Sequence, residues 1–232
     1  MLRILPFLFL LAISSCATIG LQNPGKFEAM DFGEPVTLRL CVLKDRDINQ
    51  ERVDELIGAI REEYGQYRIE VEVPWVKIWD RPGFWSKTIM YDVITIPLTD
   101  QCDRLFVFVS RNALDFLWGI IMPEYVGMVE GTTYTKGFAI AEWGSLNQLL
   151  PPFHGPKDVV IHESYHLLGC EHSLIMNECY DHIKHLKNVA IQSRAEGGDF
   201  FPTITKEGKV LKTQNEVENE LYQMVIKQLS SK

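Results

Sequence analysis

One stretch of the chain has residue types at the spacing that metal chemistry requires. It reads Val159-Val160-Ile161-His162-Glu163-Ser164-Tyr165-His166-Leu167-Leu168-Gly169-Cys170-Glu171-His172. Residues four apart on an α-helix share a face, so His162 and His166 can offer imidazole nitrogens to one ion. Glu163, one step round, reaches a water beside that ion. Gly169 permits a tight exit from the helix, and the chain can turn to bring His172 to the same point. Three neutral imidazoles leave a fourth position open, which is the coordination of a catalytic zinc rather than of a closed structural one. With 6 histidines and 16 glycines in 232 residues, the whole pattern arises by chance in about one of 10⁵ such chains.

With the set complete, His154, His182 and His185 are expected to be structural or solvent-facing. Glu171, Glu178 and Glu196 are weaker alternatives to His172 as third ligand, since some enzymes with the shorter His-Glu-x-x-His pattern take a glutamate from a later helix.

His-Glu-x-x-His-x-x-Gly-x-x-His is the signature of the metzincins, and the sequence resembles that family on both sides of it. Ser173-Leu174-Ile175-Met176-Asn177 is similar to the Met-turn, whose methionine forms an apolar floor under the zinc ligands. Val126-Gly127-Met128-Val129 stands where the family keeps the edge strand that pairs with substrate backbone, a β-augmentation of a bound peptide. The short interval from His172 to Met176 is like that of matrixin-like and archaemetzincin-like members. The second, cysteine-built metal site of the archaemetzincins is not expected, because only Cys170 and Cys179 lie nearby. Tyr180, four residues after Met176, is a candidate transition-state stabiliser, although astacin-like members place their tyrosine two residues after the methionine. The resemblance implies an α+β fold in which a mixed, mainly parallel sheet of about five strands and an early helix precede the active-site helix. A small helical C-terminal subdomain then follows. It also implies a zinc metallopeptidase, endopeptidase or aminopeptidase, with one catalytic ion. In that enzyme Glu163 takes a proton from the zinc-activated water and returns it to the leaving amine of a protein or peptide substrate. The alternative is a non-catalytic zinc-binding surface lipoprotein, which would have no need of a base at Glu163.

The elements that must position these residues can be read from periodicity. Val36 to Leu43 alternates as a strand. A helix follows, capped by Asp47 with Gln50 as in a capping box, with Val53, Leu56, Ile57, Ile60 and Tyr64 on one stripe, and Gly65 ends it. Arg68 to Val73 alternates again, whereas residues 74 to 100 read as irregular and aromatic. Leu105 to Val109 is a continuous apolar run, as in a strand covered on both faces. Tyr125 to Glu130 and Gly137 to Glu142 read as a pair of strands about a polar turn. Three helices are expected last, Pro156 to Gly169, Asp181 to Ile191 and the amphipathic Asn215 to Leu229. No internal repeat appears.

The N-terminus bears on compartment. Arg3 precedes the apolar run Ile4 to Ile13, which is the layout of a secretory signal and is too short to span a bilayer as a helix. Ile13-Ser14-Ser15-Cys16 resembles the lipobox of bacterial lipoproteins, so Cys16 is the expected lipidation site, anchoring the protein to a membrane with residues 1–15 removed. Ala17 after the cysteine favours the outer membrane, periplasmic or surface-facing. Residues 16–35 read as a tether and 36–232 as the protease domain, with its cleft between 36–172 and 173–232. The chain's formal charge of −8 argues against nucleic-acid binding, which needs clustered cations. Oligomeric state is not legible. Cys41, Cys102, Cys170 and Cys179 remain for an oxidising compartment and permit three pairings. The simplest has Cys170 with Cys179 around the Met-turn and Cys41 with Cys102.

Overall fold

A computed structural model describes residues 18–99, 101–110, 126–142 and 155–230. The signal segment, Cys16 and His154 lie outside the described residues.

Strand β1 (Val36–Asp45) is the organising element because it is long enough to take two neighbours on one side. Its first half pairs in parallel with β2 (Ile69–Glu72) and its second half with β3 (Val76–Trp79). On its other side lies β4 (Arg104–Val109), also parallel, followed by β6 (Lys136–Ile140), parallel to β4. The short β5 (Gly127–Val129) closes the sheet as an antiparallel edge, Gly127 facing Ala139 and Val129 facing Gly137. The order is β2-β1-β4-β6-β5, a mainly parallel six-stranded mixed sheet.

Every residue of β4 is buried because both faces of the sheet are covered. Phe106 and Phe108 join the core under α2 (Gln50–Gly65) and α4 (Pro156–Leu167), whereas Leu105, Val107 and Val109 join the core under α3 (Ser86–Thr95) and α6 (Gln214–Ser230). On the second face Val217 and Leu221 of α6 share one core with Ile89, Met90 and Val93 of α3 and with the β4 side chains, so the C-terminal helix lies on the back of the sheet. Between α4 and α6 run α5 (Asn177–Ala195) and a small hairpin, β7 (Thr203–Ile204) with β8 (Val210–Leu211). Disulfides join Cys41 to Cys102, across β1 and the approach to β4, and Cys170 to Cys179. No described helix is long and apolar enough to cross a membrane.

Three sequence readings need correction. The cap of α2 is Asn49, whose side chain accepts from the Arg52 amide, because Asp47 lies a residue pair too early for the helix that starts at Gln50. The stretch 74 to 100 is ordered into β3 and α3, whose short apolar stripe is masked in the sequence by flanking tryptophans and prolines. The described part of the expected tether, from Thr18 onward, is packed on the domain: Ile19 and Phe32 are buried. Asn23 caps a one-and-a-half-turn helix, α1 (Pro24–Ala29). Phe27 from that helix packs on Phe32, Tyr67 and Tyr180 at ring distances of 5.4 to 5.6 Å. Glycine and proline content suggested slack here, but the aromatic residues supply the burial that holds the strap down.

Candidate metal centre

Helix α4 begins at Pro156, a residue suited to the first helical turn, and is buried on nearly all sides. Its register is set by hydrogen bonds from outside. Tyr64 of α2 donates its hydroxyl to the Ser164 carbonyl, and Tyr165 donates to Glu63 while also meeting the Tyr67 hydroxyl at 2.7 Å. At the far end the fully buried Arg104 guanidinium donates to Leu167 O at 2.8 Å and to the Phe201 and Pro202 carbonyls at 3.1 and 2.8 Å. A cation at the C-terminus of a helix is favoured by the exposed carbonyls there, and every donor used removes a desolvation cost. Gly169 then leaves the helix at φ +85°, where a Cβ would stand 2.6 Å from His182 Nε2. His182 donates to the Leu168 carbonyl at 2.9 Å, which gives it the structural role expected.

The turn that follows brings the three expected ligands together. One nitrogen or more of His162, His166 and His172 lies within 4.8 Å of the others, and no other described group of acidic, cysteine or histidine residues converges this way. His166 Nδ1–H donates to Cys170 O at 2.6 Å and His162 Nδ1–H donates to Thr18 O at 3.2 Å. A carbonyl only accepts, so each bond fixes the proton on Nδ1 and turns the Nε2 lone pair inward. His162 Nε2 lies 2.9 Å from His172 Nε2. Two ring nitrogens that close require a proton or a cation between them. Burial and the neighbouring rings lower the His162 pKa to about 4, and burial lowers that of His166. Two imidazoles with inward lone pairs and a third ring nitrogen, His172 Nε2, converging on them are a donor set that zinc takes, so the residues present fit the ion.

Glu163, next along α4 to His162, is buried, and among the described residues no hydrogen bond or ion pair reaches its carboxylate. Desolvation alone raises its pKa to about 8. A buried carboxyl without a partner is costly, and a divalent charge nearby is what would restore its ionised form. Edge strand β5 crosses directly over it: a Cβ on Gly127 would lie 2.4 Å from Glu163 Cγ and 2.8 Å from Oε1. The expected substrate strand Val126–Val129 is therefore at the sheet edge and against the expected base, with Met128 and Val129 half-buried. Its loop to β6 is shaped by the Glu130 carboxylate, which accepts from the Thr132, Thr133 and Thr135 amides at 2.8 to 2.9 Å.

Met176 is fully buried beneath the turn. Tyr180 is not free to serve the centre: its buried ring packs between Phe27 and Tyr67, and its hydroxyl lies against the Asn23 backbone. Glu171 accepts from the Tyr134 hydroxyl and Glu196 pairs with Lys212, so neither replaces His172. The contributor that sequence could not show is the Thr18 carbonyl, since every residue has one and only the fold decides which is used.

No protein-family model matches the chain, and no curated protein does. Among solved structures the chain is similar to archaemetzincin from Methanopyrus kandleri, at 13% identity and a TM-score of 0.39, over 67% of this chain and 96% of that one. A likeness of that size says nothing of chemistry, which stands on the residues described above.

Proposed function

We propose that the protein is a zinc-dependent metallopeptidase held at the bacterial envelope by lipid on Cys16. The observation that carries the catalytic reading is the juxtaposition of three inward-facing imidazoles with a buried carboxylate that has no partner among the described residues and lies under a sheet edge. His162, His166 and His172 would hold the ion, which supplies a polarised carbonyl and water acidified to a pKa of about 7. The chain's own residues do the rest. Glu163 takes the proton of the attacking water at its carboxylate and passes it to the leaving amine. Edge strand β5 offers backbone groups that align an extended peptide, and the absence of a side chain at Gly127 lets that strand lie against Glu163. Thr18 O and Cys170 O keep two imidazoles oriented so that little reorganisation accompanies reaction. Export is supported by the sequence of residues 1–16 and by the pairing of the other four cysteines.

Zinc stoichiometry, measured together with cleavage of a peptide library, tests this reading. The wild type is expected to bind one ion and cleave; Glu163→Gln is expected to bind the ion and lose turnover by several orders of magnitude. Zinc bound by both forms with no cleavage by either would make the protein a binding lipoprotein instead.

A further inference from the structure

The strap that orients His162 also carries an exposed apolar patch. Leu21 N donates to Leu174 O at 3.0 Å, Ser173 N to Ile19 O at 3.2 Å and Met176 N to Leu21 O at 2.9 Å, so the strap runs as a paired segment beside the chain that follows the third ligand. The approach depends on Gly20, where a Cβ would stand 2.5 Å from the Ser173 carbonyl oxygen. Where the two segments meet, Leu174 is 89% exposed, Leu21 54% and Ile175 44%. Single exposed aliphatics are ordinary, whereas three on hydrogen-bonded neighbours beside a candidate metal centre mark a surface that something covers.

Chain length indicates what covers it. Cys16 stands two residues before Thr18, so even fully extended its Cα is within about 7 Å of the residue whose carbonyl holds His162. Because the chain is folded from Thr18 onward, no slack remains to lift the domain away from acyl chains on Cys16. The full chain has a formal charge of −8 and loses Arg3 with residues 1–15, so the anchored protein gains no electrostatic attraction to anionic headgroups and contact would be apolar.

We propose that Leu21, Leu174 and Ile175 form a bilayer-docking surface which, with lipidated Cys16, seats the metal centre against the membrane. The substrates are then polypeptide segments held close to a bilayer, such as the membrane-proximal stretches of anchored proteins. This rests on the lipid-anchor reading of Cys16.

The full-length lipidated protein in phosphatidylcholine vesicles with brominated acyl chains tests it. A tryptophan added by Leu174→Trp is expected to be quenched at least twofold more than the native tryptophans. One added by Tyr222→Trp, at an exposed position outside the patch, should be quenched no more than they are. Leu174→Asp should stay on the vesicles through its acyl chains, and the ratio of its rate on a vesicle-anchored peptide to its own rate on the same peptide in solution should fall about tenfold below the wild-type ratio. A lipid-bearing protein whose Leu174→Trp signal is unquenched overturns the docking surface alone. Intact mass showing an unmodified Cys16 overturns the anchor reading, and the docking surface with it.

Discussion

His162 and His166 stand one turn apart on the same helix, and each gives its Nδ1 proton to a backbone carbonyl, but the two carbonyls differ in origin. His166 is served by Cys170, 4 residues away, and His162 by Thr18, 144 residues away. The first support is made by the helix's own exit. Gly169 sets the turn, and the Cys170–Cys179 disulfide ties that turn to α5. The second exists only when the strap from Thr18 is docked along residues 173–176 and weighted down by Phe27 and Phe32. A ligand with local support is oriented as soon as its helix forms, whereas one with remote support is oriented only in the complete fold. The candidate centre therefore has a robust side and a conditional one.

The two disulfides can break this contrast. In the chain-entropy account, opening the link between Cys41 and Cys102, which encloses 61 residues of separation, costs about 4 kcal/mol of stability. Cys41→Ala with Cys102→Ala should lower the denaturant midpoint most of any change considered, yet leave zinc affinity of the folded protein within twofold, because neither cysteine touches a ligand support. The Cys170–Cys179 pair, with a separation of 9, is worth roughly 3 kcal/mol in the same account. Its removal should cost less stability but weaken zinc about tenfold, through the Cys170 carbonyl and the turn to His172. Competition titration against a chromophoric chelator reads the affinities. Equal losses of affinity in both double variants would erase the distinction.

That asymmetry also explains what the sequence could tell. The robust side is a local pattern: helical spacing of His162 and His166, a turn glycine, a nearby methionine and a cysteine nine residues from its partner are all properties of one stretch of chain. The sheet was legible for the same reason in β1, β2 and β4, where alternation or a continuous apolar run reports burial directly. The conditional side was not legible. Its contacts join residues more than 140 positions apart, and Leu21–Asn23 presents no periodicity before Pro24. Tyr180 was misread for a related reason, since its spacing from Met176 says nothing of the Phe27 and Tyr67 rings that claim it. The irregular-looking stretch that contains α3 failed because ten residues with three buried apolar side chains give too little pattern to outweigh neighbouring prolines.

A buried lysine gives the conditional side a pH signature. Lys187 of α5 is fully buried and donates to the Tyr67 carbonyl at 2.7 Å, behind the ring on which Phe27 and Phe32 rest. Burial lowers its pKa to about 8 from an ordinary 10.5, Arg68 adding to the shift while Asp31 and Glu34 oppose it. A base with a lowered pKa in the folded state is deprotonated there first, so between pH 8 and 10.5 the unfolded chain binds more protons. Stability contributed by this group therefore rises with pH across that window, by up to about 3 kcal/mol for a shift of this size. Urea unfolding of wild type and Lys187→Met at pH 7.5 and 10 should show the difference between them changing in favour of the wild type at the higher pH. A difference that is flat, or that moves the other way, would mean Lys187 is not desolvated and the Tyr67 platform is looser than the packing indicates.

The most selective strike at the conditional side is a single methyl group. Gly20→Ala places a Cβ 2.5 Å from a backbone oxygen, Ser173 O, which cannot swing aside as a side-chain tip would, so strap and turn must separate by several tenths of an ångström. The Thr18 carbonyl moves with the strap, and the His162 ring loses the acceptor that fixes its tautomer. Outer-shell partners of metal-bound histidines are typically worth 10- to 100-fold in affinity, so zinc should weaken within that range in Gly20→Ala while the helical spectrum stays unchanged. Thr18→Ala separates carbonyl from side chain, because it removes only the hydroxyl that donates to Gly20 O at 2.6 Å and keeps the carbonyl. Its zinc affinity should stay within about twofold of wild type, the loss of one partly exposed hydroxyl contact being minor. If Thr18→Ala weakened zinc as much as Gly20→Ala, the hydroxyl and not the carbonyl would be the remote support. If neither did, the orientation of His162 would not depend on the Thr18 carbonyl, and the contrast between the two ligands would fall.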